Sequence, residues 1–277
     1  MIYKKLDLKQ EFPFLKKYDS DAMLEIFINE HNEEFREIPK KPAIVICPGG
    51  GYGFCSRREA EPIALRYMTL GFNAFVINYS IAPKRYPLQL LEVACVFKYI
   101  KQNADEFDCN TDKIAITGFS AGGHLAAHYS NAYNLDIIKE NLGSGERPFA
   151  TILCYPVISA DEKIAHKGSF ENLLGFYPDD EQANICSLER LVNENTPQAF
   201  IWHTSEDAVV PVQNSLTYAA TLAKYKIPFE LHIYPYGAHG LSTVDGVTNP
   251  IPLDEKVQRA EYWLYELKKW IKITFEY

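Results

Sequence analysis

Three residues have the types that acyl transfer requires, in an order that such chemistry uses. Ser120 is the centre of Gly118-Phe119-Ser120-Ala121-Gly122, a G-x-S-x-G. The apolar run Lys113–Gly118 precedes it and the helix-like Gly-His-Leu-Ala-Ala-His-Tyr follows, so the serine falls on a strand-to-helix turn. On such a turn the backbone is strained and the hydroxyl projects above the sheet. Negative charge near the serine oxygen is favoured there by the helix N-terminus. The flanking glycines let the chain pass without a Cβ clash. A serine hydroxyl still needs a base, and the base needs a group to orient it. Asp207 lies in the loop after the strand-like Gln198–His203, four residues before Pro211 in a D-x-x-V-P pattern. His239 lies in Tyr236-Gly237-Ala238-His239-Gly240, after the strand-like Phe229–Tyr234. The order serine, acid, histidine is therefore met, with every member at a strand C-terminal end.

Acyl transfer also needs donors for the developing oxyanion. Cys47-Pro48-Gly49-Gly50-Gly51-Tyr52-Gly53 follows Ala43–Cys47, another strand-like run. The amides of Gly50 or Gly51, with that of Ala121 after the nucleophile, are the expected donors. A phosphate-binding reading of this loop fails, because neither G-x-x-x-x-G-K-[ST] nor G-x-G-x-x-G is present. Tyr52, Phe119 and Tyr155 are candidates to line an acyl or sugar pocket, with Phe54, Phe176 and Tyr177 nearby in sequence. For Phe119 and Tyr155 core packing competes equally.

The remaining acids and histidines are rivals. Glu206 adjoins Asp207 but lacks its register to the proline. His124 and His128 have metal-ligand spacing on one helical face, yet no third ligand is evident and the helix belongs in the core, so no metal is expected. His203 and His232 fall inside strand-like runs and read as satisfied interior or face residues. His31 and His166 read as loop residues.

Short β-branched and aromatic runs must hold these residues in place. Ala43–Cys47, Phe72–Asn78, Lys113–Gly118, Phe149–Tyr155, Gln198–His203 and Phe229–Tyr234 alternate with helix-like stretches near 57–70, 88–107, 120–133, 211–226 and 254–273. In the last of these, Val257, Ala260, Trp263, Leu264, Leu267 and Ile271 share one face. This alternation implies an α/β fold, a mostly parallel sheet covered on both sides. Tyr3–Leu8 and Ala22–Asn29 read as an antiparallel edge. Residues 157–195, mixed in charge and rich in breakers, read as a helical insertion above the C-terminal edge of the sheet. With no repeat or linker in view, residues 1–277 are expected to form one domain.

Composition narrows the partners. Net charge is −8, from 28 basic and 36 acidic residues, and no long basic run stands out, Lys16-Lys17, Lys40-Lys41, Arg57-Arg58 and Lys268-Lys269 being isolated pairs, which argues against a nucleic-acid partner. No run approaches the ~18 uninterrupted apolar residues of a membrane span. The N-terminus lacks the pattern of a secretory signal, and the six cysteines show no CxxC pairing, so a cytoplasmic, reduced chain is expected. The expected partner is a small-molecule or oligosaccharide ester, and the chemistry needs no cofactor.

Together these residues resemble the esterase/lipase branch of the α/β hydrolases, and most closely its acetyl xylan esterase and feruloyl-esterase-like "sugar hydrolase" group. The strings carrying the likeness are CPGGGY at 47–52, SRREAEPIA at 56–64, GFNAFVINYS at 71–80, ITGFSAGGHLAA at 116–127, CYPVIS at 154–159, HTSEDAVVPVQNS at 203–215 and YPYGAHGLS at 234–242. The resemblance implies the α/β-hydrolase fold, a Ser120–Asp207–His239 triad, an oxyanion hole of Gly50, Gly51 and Ala121, and short-chain acyl esters of a carbohydrate as substrates. Pro48 departs from the pattern, standing where the lipase-like branch has a histidine, so the rigidity of this loop must come from elsewhere. A small serine peptidase or amidase, and a non-catalytic binding protein on the same fold, are the alternative readings.

Overall fold

The computed structural model describes residues 1–30 and 40–276. His31 lies outside the described residues. Eight strands form a single sheet: β1 (Ile2–Asp7), β2 (Met23–Ile28), β3 (Lys41–Cys47), β4 (Asn73–Asn78), β5 (Cys109–Phe119), β6 (Ala150–Cys154), β7 (Gln198–Thr204) and β8 (Phe229–Tyr234). Their spatial order is β1-β2-β4-β3-β5-β6-β7-β8. The pairs β1–β2 and β2–β4 are antiparallel, and every later pair is parallel. The antiparallel edge read from the first 30 residues is thus present.

The helices are α1 (Leu8–Glu11), α2 (Glu61–Thr69), α3 (Leu88–Gln102), α4 (Ala121–Ala132), α5 (Asp136–Leu142), α6 (Lys167–Leu174), α7 (Gln213–Lys224), α8 (Glu255–Gln258) and α9 (Tyr262–Thr274). Alternation within the strands assigns them to two faces. Val45, Phe75, Ile116, Leu153 and Ile201 pack with α3, α4 and α7. Their neighbours Ile44, Ile46, Ala74, Val76, Ala115, Ile152 and Trp202 pack with Ile63 and Tyr67 of α2 and with Trp263, Leu267 and Ile271 of α9. Parallel strands buried on both faces read as continuous apolar runs, which is why Ala43–Cys47 shows no polar alternation.

Two regions depart from the sequence reading. Helix α5 is absent from it, because Asp136–Leu142 is only seven residues long and buries a single residue, Ile138. Residues 157–195 hold one eight-residue helix, α6, and two 3-10 turns, Gln182–Ile185 and Leu188–Arg190. The rest of that segment is irregular. All six cysteines are free, and five of them are buried. Among the described residues no helix is long and apolar enough to cross a membrane.

Candidate active site

The β5–α4 turn presents Ser120 at φ 52°, ψ −120°, a conformation that costs energy in any residue with a Cβ. The surroundings over-determine it. The Ser120 amide donates to the Cys154 carbonyl at 3.0 Å, and the Ser120 carbonyl accepts from the amides of Val157 and His124. The flanking glycines are required by close approach. A Cβ on Gly118 would lie 2.1 Å from the Gly122 carbonyl oxygen, and one on Gly122 would lie 2.1 Å from that of Cys47.

The loops after β7 and β8 bring two further groups to this turn. His239 Nε2 lies 2.7 Å from Ser120 Oγ, and its Nδ1 lies 2.6 Å from Asp207 Oδ2. Asp207 Oδ1 accepts from the amides of Val209 and Val210, each at 2.9 Å. A second imidazole also reaches Asp207: His203 Nε2 donates to Oδ2 at 3.2 Å and to the Val210 carbonyl at 2.9 Å. Burial works to raise the Asp207 carboxyl. The hydrogen bonds from His203 and His239, the charge on His239 and the Val210 amide overcome that and hold it well below the usual carboxylate range. Glu206 points elsewhere, accepting from the Gly237 amide at 3.1 Å.

Gly50, Gly51, Ser120, Glu59 and His239 line a cleft of about 440 Å³. Among the described residues no acceptor is bonded to the amides of Gly50, Gly51 or Ala121, and Gly50 and Gly51 line the cleft. The glycine loop is pinned on three sides. Tyr79 donates to the Pro48 carbonyl at 2.7 Å, Glu59 accepts from the Gly49 amide at 2.8 Å, and Asn172 donates to the Gly51 carbonyl at 2.9 Å. These contacts supply the rigidity that Pro48 left unassigned.

The aromatic assignments need correction. Tyr52, Phe119 and Tyr155 are buried and do not line the cleft. Tyr52 turns inward to donate to His124 Nδ1 at 2.8 Å. Phe119 packs between Tyr155 and Trp263, because its side chain falls on the α9 face of β5. Tyr155 donates to Glu59 Oε1 at 2.7 Å. Phe176 is exposed away from the cleft, and Tyr177 bonds to the Ala160 carbonyl. Of the six aromatics only Phe54 lines it.

The opposite wall comes from residues to which the sequence reading gave no role in the site. His166, Gly168 and Asn172 of the insertion face the cleft with Ser56, Arg58 and Val209. His166 Nδ1 lies 2.8 Å from Ser169 Oγ, and burial first, with the His239 charge second, lowers its pKa. The string 56–64 was a signal for Arg58 and Glu59; nothing local marked His166 or Asn172.

A serine hydroxyl on an imidazole, an imidazole on a carboxylate and a glycine loop lining the same cleft are the parts that acyl-transfer chemistry uses. The family model BD-FAE matches residues 24–222. Endo-1,4-beta-xylanase B of Butyrivibrio fibrisolvens is 36% identical over 230 residues, 79% of this chain and 35% of that protein. An acetylxylan esterase of Xylanibacter ruminicola is 32% identical over 227 residues, 80% of this chain and 44% of that one. The chain therefore spans less than half the length of both. The crystal structure of an acetyl ester-xyloside bifunctional hydrolase from Caldicellulosiruptor lactoaceticus superposes with a TM-score of 0.82 at 32% identity, over 98% of this chain and 96% of that one. The chain belongs to the BD-FAE family of α/β hydrolases.

Proposed function

We propose that this chain hydrolyses short-chain acyl esters, acetyl groups on a xylan-type oligosaccharide above all, with Ser120 as nucleophile. The observation that carries the reading is the unbroken hydrogen-bond path Ser120–His239–Asp207, with Ser120 and His239 lining one cleft with Gly50 and Gly51, whose amides, like that of Ala121, bond to no acceptor among the described residues. Ser120 Oγ attacks the ester carbonyl as its proton passes to His239 Nε2. The carbonyl oxygen becomes an oxyanion held by the amides, while Asp207 stabilises the imidazolium. The imidazolium then gives its proton to the departing alcohol, leaving an acyl-serine. A water, deprotonated by the neutral imidazole, attacks this acyl group and releases acid and enzyme.

Short acyl groups fit the surroundings. The exposed apolar lining is confined to Phe54 and Val209. The insertion beside it carries Asp161, Glu162, Lys163, Lys167, Glu171, Asp179, Asp180 and Glu181, so meeting aggregated lipid would be costly. The carbohydrate alcohol is supported by relatives named for acetylxylan and acetyl ester-xyloside hydrolysis. The test is kcat/KM for aryl esters with acyl chains of two to twelve carbons, alongside acetate release from acetylated xylo-oligosaccharides. Acetate or butyrate should exceed decanoate by at least about tenfold, and acetate should appear from the oligosaccharide. A maximum at eight carbons or beyond would sink the short-acyl reading; no acetate from any acetylated sugar would remove the carbohydrate.

A further inference from the structure

The oxyanion amides and His239 arrive on separate segments. The glycine loop follows β3 and the His239 loop follows β8, with β5, β6 and β7 between those strands in the sheet. Acyl transfer needs the two in register to a fraction of an ångström. Glu59, in the 3-10 turn Arg57–Glu59, touches the first loop directly and the second through one side chain. Its Oε2 accepts from the Gly49 amide at 2.8 Å, and its Oε1 accepts the Tyr155 hydroxyl proton at 2.7 Å. The Tyr155 oxygen in turn accepts from the Ser242 amide at 2.9 Å, three residues past His239. We infer that Glu59 is a positioning residue: through Tyr155 and Ser242 it locks the oxyanion loop and the general-base loop into one unit.

The surroundings support this beyond the hydrogen bonds. Glu59 is 3% exposed and Tyr155 2%, so neither link exchanges freely with water. Tyr155 and Ser242 hold left-handed backbone, φ 38° and 53°, a cost that persists where neighbouring contacts over-determine it. Ser242 is fully engaged: its hydroxyl donates to the Arg58 carbonyl at 2.7 Å and its carbonyl accepts from Trp263 Nε1 at 3.1 Å. The Tyr155 ring also stands edge-on to His239, centroids 5.1 Å apart. A Cβ on Gly49 would meet both Glu59 Oε2 and Ser120 Cβ within 3.0 Å, so the carboxylate lies against the nucleophile's own turn. Burial raises the Glu59 carboxyl, while the bonds from Tyr155 and Gly49 and the charges of His239 and Arg58 pull it back.

The inference rests on Ser120 as nucleophile, and the experiment separates the two. Glu59→Gln keeps shape but replaces one acceptor oxygen with a donor; Tyr155→Phe keeps the ring and removes the link. Both variants, their double and the wild type are assayed on an aryl acetate and treated with a fluorophosphonate, the labelled serine being located by mass spectrometry. Each single change should lower kcat about tenfold to a hundredfold with KM within about twofold. The double should be no worse than the worse single, and Ser120 labelling should slow in parallel. Additive losses, a loss confined to KM, or kcat within about twofold of wild type in a variant of unchanged Tm would overturn it. Should Glu59→Gln fail to fold, Tyr155→Phe decides alone by its effect on kcat. A wild type labelled on another residue would overturn the nucleophile instead, and the inference with it.

Discussion

Two pairs of imidazoles lie close to the Ser120 turn, and they meet opposite fates. His203 and His239 converge on one carboxylate, Asp207 Oδ2. His124 and His128, on α4 directly behind Ser120, are bonded to no carboxylate among the described residues. His124 Nε2 donates to the Cys186 carbonyl at 2.8 Å and its Nδ1 accepts from Tyr52 at 2.8 Å. His128 stacks on Tyr86 with centroids 5.4 Å apart. Burial lowers His124 to a pKa of about 4 and, with the nearby His124 charge second, His128 to about 3. Of these four rings, His239 alone joins a carboxylate behind to open space in front, its side chain being 17% exposed. Short spacing does not mark the site: His124 and His128 are four residues apart, as are His203 and Asp207. What separates them is whether a charge stands behind the ring and a cleft in front of it.

Breaking the productive pair should have the largest effect. Ser120→Ala and His239→Ala should each lower kcat on an aryl acetate by about 10⁴-fold or more, and the double by little beyond the worse single. A folded Ser120→Ala that retains near wild-type turnover would reassign the nucleophile. Asp207→Asn should fall by roughly 10³- to 10⁴-fold. Glu206→Gln should stay within a few-fold, since the glutamine oxygen still accepts from Gly237. If Glu206→Gln were the more damaging change, the acid would be Glu206.

His203 sharpens the comparison by a smaller step. Its Nε2 carries a hydrogen, because both partners on that side are acceptors, and Nδ1 faces Ser215 Oγ at 2.8 Å. Removing it takes one of four donors from a buried carboxylate, a bond to a charged group worth about 1.5–3 kcal/mol. His203→Phe should therefore lower kcat about tenfold to a hundredfold with little change in KM. His203 is among the donors that hold the Asp207 carboxyl low, so the loss is expected in the hold on His239 rather than in substrate affinity. Unchanged kcat would make His203 a core residue only.

Ser120, Asp207 and His239, which the structure brings into one hydrogen-bonded line, could be picked out from local strings because each follows a strand and each string states its own turn. The sheet was legible for the same reason: β-branched runs and 3.6-residue periodicity are local. The cleft's second wall was not, since His166 and Asn172 reach it only once α6 folds over the glycine loop. Tyr52, Phe119 and Tyr155 were misplaced because proximity to a motif does not say which way a side chain leaves the turn; Tyr52 and Tyr155 both hold left-handed backbone. Glu59 was visible in SRREAEPIA, but Tyr155 lies 96 residues from it in sequence and Ser242 a further 87. A relay of such sequence separations leaves no periodic trace.

The smallest effect belongs to the pair without a carboxylate, and it is read in stability. Above the ordinary imidazole value of 6.5, His128 is neutral whether the chain is folded or not. As pH falls, the unfolded chain takes up a proton there while the folded chain resists until about 3. The unfolded state then binds more protons, so His128 makes the fold less stable step by step from about pH 6.5 downward. Glu92 works in the other direction. Burial raises its carboxyl to about 7, so the folded chain holds that proton more tightly and gains stability as pH falls from about 7 towards 4.5. The wild-type curve sums both, and the difference between two proteins isolates one. His128→Phe keeps an aromatic face against Tyr86 and removes the proton site. Its Tm relative to wild type should rise by a few degrees between pH 7 and pH 4, while turnover at pH 7 stays within about twofold. Differential scanning calorimetry across that range decides it: parallel Tm curves would mean that His128 takes up its proton in the folded chain as readily as in the unfolded one, and that burial alone does not set this pair apart.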